Sequence, residues 1–500
     1  MKKVLLLLLA LTFIVGSFAS CKKDPADTTE SNTTDTSAPV EEGDGLTDIE
    51  KRALEKDFLP DDLDFEQAEF KTYSFYEMYD LDVNGTDGSG DAVLDSVFER
   101  NRAVERRLNI YIENVMSSTG KFEDFGIELD QLGNSSMKSY DAIFTMGNSA
   151  IQMGITDVFM DIDGLEYISK DADWWWADAM QELAFDVKHQ KFLMGDICLS
   201  GYTRVGAMLV NMTDYERSFQ SEGGINGLYE LVENGGWTIA ELQERASSAY
   251  SDPNGNGLKM EDTADQIGLA VCNIEMIKFL EYSFDVQRYS RDADGCAVLD
   301  YDIDRASTAV DALIGLLFET DGVYWQESYH KSSDFPQGRT LFQTTWVSDL
   351  LNAEMREMDD LYTLVPMPKL DNNQKEYRAN IQNSAQVAGV LKTVTETDYV
   401  SAVLEALCTE SYRKVVLPFY EVALKVRYAK DSGVGKMIDI INGAATKNFL
   451  YEYQPGSGCG ALITNVVMTE SNKLAGEYAS AAEKTEQYLA KLKAELYPTT

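Results

Sequence analysis

Histidine is almost absent from this 500-residue sequence, where His189 and His330 are the only two. No G-x-S-x-G elbow, G-x-x-x-x-G-K-[ST] loop or H-E-x-x-H helix is present either. Those gaps remove the usual frames for serine hydrolysis, phosphate cradling and zinc proteolysis. Cysteine is sparse as well: Cys21, Cys198, Cys272, Cys296, Cys408 and Cys459, with no C-x-x-C spacing. That pattern is neither a zinc site nor a disulfide framework. A Cys272–Cys296 bridge stays open as a pairing, while Cys408 in "VSAVLEALCTES" reads as a small buried apolar residue. Basic residues are outnumbered, 43 against 84 acids, for a formal charge of −41. Such a field repels nucleic acid and anionic lipid, and no basic patch opposes it. A solvated acidic surface is the simplest reading.

What is present begins with an address. "MKKVLLLLLALTFIVGSFASC" has two lysines, an apolar run from Val4 to Val15, small residues and then Cys21. The run is short of the ~20 apolar residues a membrane span needs, so it reads as a signal peptide over 1–20. "FASC" resembles a bacterial lipoprotein box, with Phe18 where an aliphatic residue is usual. That resemblance implies a lipid-modified Cys21 and a membrane anchor. Residues 21–64 are rich in Thr, Asp, Ser and Glu and read as a disordered acidic tether. The rest is too long for one core and suggests two lobes.

Strand and helix signals then alternate. "EFKTYSFYEM" reads as a strand, and "DAVLDSVFERNRAVERRL" as a helix with Val93, Val97, Val104 and Leu108 on one stripe and Asp91 favourable at its start. A second strand begins near Ile110, and "YDAIFTMG" is a third, buried one. Strand, helix, strand in this order indicates a parallel sheet. Further on come a helix capped by Thr238, a strand before Trp346, a strand stopped by Pro366 and Pro368, and a strand at "QVAGVLKTV". Helices follow through Val400, Leu404, Leu407 and Val415, and through Leu474, Tyr478, Tyr488 and Leu492.

The order of these pieces resembles the extracellular solute-binding proteins that serve ABC importers, in their sugar-binding, maltose-binding-protein-like branch. The carrying stretches are the lipobox, "ERNRAVERRLNIYI", "YDAIFTMG", "NGLYELVENGGWTIAEL", "FPQGRTLF", "LVPMPKLDNNQKEY" and "VLEALCTESYRKVVLPFYEVALKVRYAKD". The resemblance implies an α/β, two-lobed periplasmic-binding-protein-like fold with crossing hinge segments and a ligand cleft. It places 65–200 with 375–415 in the first lobe and 201–374 with 416–500 in the second, with crossings near 198–206 and 366–382. It also implies a carbohydrate ligand, an oligosaccharide in the family's habit, ABC permease subunits as partners, a monomer, and no catalysis. The alternatives are a non-sugar solute such as a peptide or polyamine, and a surface lipoprotein glycoside hydrolase working through paired carboxylates.

A neutral sugar offers hydroxyls at its rim and C–H patches on its faces, so its site needs aromatic platforms and a few polar groups. The sequence supplies 6 Trp, 26 Tyr and 21 Phe. Trp346, just past a strand, is the first platform candidate, since α/β sheets bind ligands at strand ends. In "SKDADWWWADAMQEL", Trp174, Trp175 and Trp176 cannot all enter one core on either a helix or a strand. Two are expected under the lobe and one at the cleft or its rim, with Trp175 and Trp176 the candidates. Trp325 in a loop, Tyr202 and Arg204 after the first crossing, and Glu77, Asp141 and Asn148 around early strand ends complete the set. Asp252, Asn254 and Asn256 before Gly257 imitate a calcium loop, but Thr263 stands where its last carboxylate belongs. A polar turn is the alternative there.

Overall fold

A computed structural model describes residues 48–258, 264–326, 335–419, 433–454 and 456–497. Cys21, Thr263 and His330 lie outside the described residues. In chain order the strands are β1 (Ala68–Ser74), β2 (Ile110–Met116), β3 (Ala142–Met146), β4 (Phe192–Leu193), β5 (Gly206–Asn211) and β6 (Ile267–Val271). A short hairpin, β7 (Tyr289–Arg291) and β8 (Ala297–Leu299), precedes β9 (Val323–Trp325), β10 (Thr340–Trp346) and β11 (Tyr362–Pro366). The last are β12 (Ala379–Asn380), β13 (Gln386–Gly389) and β14 (Ala445–Thr446).

Two five-stranded sheets form the centres of two lobes, in the orders β2-β1-β3-β13-β4 and β11-β5-β10-β6-β9. In the first, β1 is parallel to β2 and β3, while β13 returns antiparallel to β3 and β4. In the second, β5 is antiparallel to β10 and β11, and β6 is parallel to β9 and β10. Every residue of β3, β10 and β11 is buried. Sheets covered by helices on both faces require such continuous burial, which is why these strands read as runs and not as alternations.

The helix Ala92–Leu108 shows how sequence sets an element. Asp91 is its N-cap, accepting from the Val93 and Leu94 amides, and Val93, Val97, Val104 and Leu108 are buried. Asn109 ends it in the left-handed region at φ 51°, turning the chain straight into β2. Such a side-chain cap is worth about 1 kcal/mol. The buried stripe packs on the helix Thr397–Lys414, which comes from far along the chain.

The lobes are joined by a narrow ribbon. β12 pairs with β14, Val205 bridges Ile381, and the Gln382 amide donates to the Arg204 carbonyl at 3.0 Å. Three widely separated segments thus cross side by side. No helix among the described residues is long and apolar enough to span a membrane.

Several expectations need correction. A helix, Asp48–Leu54, forms within the stretch read as tether. Arg52 is the reason: it pairs with buried Asp196, donates to the Tyr412 carbonyl at 2.7 Å and lies 3.8 Å over the Tyr412 ring. Thr238 occupies its N-cap position, but its side chain makes no cap hydrogen bond. Trp325 ends strand β9 and does not sit in a loop. Cys272 and Cys296 are both free thiols, so the bridge does not form.

Candidate functional site

Strand ends of the first lobe converge on one edge. β1 and β3 run the same way and β13 starts where β3 stops, with Gln386 opposite Met146. The residues that follow β1 and β3 and precede β13 therefore share that edge, and the crossing ribbon passes beside it. A cavity of about 390 Å³ opens there, lined by Phe75, Tyr76, Lys121, Glu123, Met146, Asn148, Arg204, Gln382 and Ser384 among others. Such a position, outside the carboxyl ends of strands, is where open α/β sheets hold ligands.

The cavity joins an exposed aromatic, Tyr76, to amides and charges. The Asn148 Oδ1 is buried and meets no hydrogen-bond partner among the described residues. An unmatched acceptor in a cavity wall favours a ligand donor, since leaving it unmade costs ~1–3 kcal/mol. Beneath the floor, Asp82 is fully buried and accepts from the Ser200 amide at 2.7 Å and the Ser200 hydroxyl at 2.6 Å. The Ser200 oxygen in turn accepts from the Gln386 amide at 2.9 Å. This chain ties the first crossing to β13. Burial raises the Asp82 carboxyl to about 7, against the opposing pull of Ser200 and of Arg100 and Arg204.

Of the sequence candidates, Asn148 and Arg204 both line this cavity. Glu77 stands in the turn Tyr76–Met78 next to the cavity, and its side chain lies outside the described residues. Asp141 sits at the opposite, N-terminal end of β3, where it accepts from the Lys71 amide and pairs with Lys138. Trp346, 8% exposed, ends β10 edge-on to Phe279 at 6.4 Å and does not line the cavity. Trp325 stands edge-on to Phe318 at 5.7 Å. Asp252 turns both carboxylate oxygens onto its own loop, accepting from the Gly255 and Gly257 amides at 2.8 Å. Asn254 likewise accepts from the Asn256 amide. Tyr76, Lys121, Glu123 and Gln382 were not anticipated, although Tyr76 could have been found by the strand-end rule applied to "EFKTYSFYEM".

The tryptophan triplet resolves into two carboxylate contacts. Trp174 and Trp175, 1% and 4% exposed, donate their indole N–H to the two oxygens of Glu405 at 3.1 and 2.7 Å. Trp176, half-buried, donates to Asp196 at 3.0 Å, and Tyr202 donates to the same oxygen at 2.6 Å. Burial raises the carboxyls of both Glu405 and Asp196, and these hydrogen bonds pull the other way. A bridge between Trp175 and Gly195 holds the triplet against the strand leading to the crossing. Two rings support the first lobe and the third braces the hinge entrance; none lines the cavity.

No protein-family model and no curated protein matches this chain. Solved structures do. An ABC transporter solute-binding protein from Thermotoga lettingae bound with alpha-D-tagatose shares 14% identity, with TM-score 0.52 over 85% of this chain and 100% of that one. The cyclic alpha-maltosyl-1,6-maltose binding protein of Arthrobacter globiformis gives 12% identity and TM-score 0.54 over 85% and 100%. UgpB from Mycobacterium tuberculosis, in complex with glycerophosphocholine, gives 9% and 0.52 over 85% and 99%. The fold is therefore that of two-lobed ABC-transporter solute-binding proteins, and its structural neighbours include sugar-binding members.

Proposed function

We propose that this protein is a membrane-tethered receptor that captures a carbohydrate in the cleft and delivers it to an ABC importer. The observation that carries this reading is the cavity beside the hinge ribbon. It combines an exposed aromatic, amides and an unmatched Asn148 acceptor at the strand ends of a solute-binding fold. The lipobox-like "FASC" supports lipid attachment at Cys21, and the likeness of fold supports delivery to a permease.

The test is a thermal-shift panel of mono- and oligosaccharides, peptides and polyamines, followed by calorimetry on any hit. A saccharide that stabilises the protein, and does so less after Asn148→Ala, supports the reading; stabilisation by a peptide or polyamine alone refutes it.

A further inference from the structure

The hinge ribbon borders a second cavity, also of about 390 Å³. The crossing strand is common to both: Arg378, Ala379 and Asn380 line the second, and Gln382 and Ser384 line the first. Its other walls come from both lobes. Asp178, Gln181 and Glu182 belong to the helix that follows the tryptophan triplet, and Tyr282 to Tyr289 belong to the second lobe. Contacts across this region are many: the Arg291 guanidinium donates to the Gln181 and Phe185 carbonyls at 2.7 Å, and Glu182 accepts from the Phe449 amide at 2.9 Å.

We propose that this second cavity binds a small neutral polyol, through a vicinal diol held by Asn380, and that its occupant stiffens the hinge ribbon. Asn380 is 3% exposed, and neither its side-chain nitrogen nor its oxygen meets a partner among the described residues. A donor and an acceptor side by side match a vicinal diol, which accepts through one hydroxyl and donates through the other. Buried amides are normally satisfied, so an unmet pair beside a cavity is informative.

Charge favours a neutral occupant. Asp285 pairs with Arg378 at 3.1 Å, and Arg288 pairs with Glu281 at 2.9 Å. Glu182 is held by Tyr289 and the Phe449 amide. Among the described lining residues, the carboxylates Asp178, Glu182 and Asp285 are balanced by Arg288, Arg378 and Lys447, so the cavity has no net charge to recruit an ionic ligand. The volume falls in the range of about 300–1,000 Å³ usual for small-molecule sites. An occupant would touch both lobes and two crossing segments, Arg378–Asn380 and Gly443–Asn448. A ligand that favours one lobe arrangement shifts the hinge toward it.

Hydrogen–deuterium exchange on the full chain with xylitol as the probe tests this without reference to the ligand of the cleft. Amides of 378–380 and 443–448 should exchange about tenfold more slowly at roughly ten times the dissociation constant, because opening there requires release of the polyol. Asn380→Leu, shown folded by its thermal transition, should abolish that protection, whereas Asn148→Ala should leave it intact. Protection confined to 146–148 and 382–384, or none at millimolar xylitol, would overturn the proposal. So would protection that survives Asn380→Leu.

Discussion

Single carboxylates set much of this molecule's character, because so many of its acids are buried among donors. Glu405 is the sharpest case, with both oxygens occupied by adjacent indoles and the Ser169 amide 3.2 Å away. Trp174→Ala would leave a large void and strip one donor from a buried acid. Its expected cost is about 3–5 kcal/mol, as for other buried aromatic truncations, read from urea unfolding. Trp176→Ala, at a half-buried ring whose loss leaves Asp196 its contacts to Arg52 and Tyr202, should cost distinctly less. Asp82 gives a pH signature. Its folded carboxyl is raised from 3.8 to about 7, so the protonated form favours folding. That contribution is complete below the unfolded value and is lost as pH climbs through about 7. Asp82→Asn keeps the neutral form at every pH and can still accept from the Ser200 amide. Stability measured by denaturant from pH 4 to pH 8 (about the span of the shift) should therefore fall by on the order of 1–3 kcal/mol less in the variant. Parallel curves would show that Asp82 is ionised in the fold.

Elements differ in how plainly their sequence declares them, and the reason is what each one buries. Helix Ala92–Leu108 was legible because its apolar stripe and acidic cap are local signals. Helix Asp48–Leu54 was not, since "DIEKRAL" has too few apolar residues to mark a stripe and docks through the Arg52 guanidinium. Its partners, Asp196 and Tyr412, are remote in sequence, so no window of residues could have revealed it. Arg52→Ala should release that helix and leave Asp196 with a buried charge lacking its cation. Fully buried pairs broken in this way cost about 3–5 kcal/mol. With Arg52 partly open to solvent, about 2–3 kcal/mol is expected by the same reasoning. The checks are urea unfolding and proteolysis of the full chain, where cleavage between 48 and 60 should become rapid while the rest resists. The site divides along the same line. Asn148 and Arg204 were readable from strand ends and a crossing, but Gln382 reaches the same cavity from a segment far along the chain. Trp346, read as a platform from its strand end, stands edge-on to Phe279 from a separate helix, a tertiary contact with no local trace.

At the scale of the whole molecule, the question is what holds the two lobes at this approach. One contact stands out, between Gly147 at the end of β3 and Glu452 on the helix Phe449–Glu452. A methyl group built on Gly147 would lie 2.4 Å from a Glu452 oxygen and 3.3 Å from the Asn383 carbonyl. Glycine is required there by proximity, not by backbone angle. Glu452 cannot easily withdraw, because it is fully buried and paired with equally buried Lys447 at 3.0 Å. Lys447 also donates to the Gln382 carbonyl at 2.8 Å, fixing the pair to the crossing ribbon. Burial pushes the Glu452 carboxyl up and the Lys447 ammonium down, so each needs the other to stay charged. Gly147→Ala should then be relieved by movement of the lobes, the softer coordinate, at an overpacking cost of about 1–3 kcal/mol. Small-angle scattering of the unliganded variant should give a larger radius of gyration. A saccharide bound by the parent should bind more weakly by roughly 5- to 30-fold, the equivalent of about 1–2 kcal/mol. Gly435→Ala is the matched control, since a methyl there meets open space. It should leave both radius and affinity unchanged. If Gly147→Ala keeps the parent radius while its thermal transition falls, Glu452 has yielded locally and the lobes are not held by this contact.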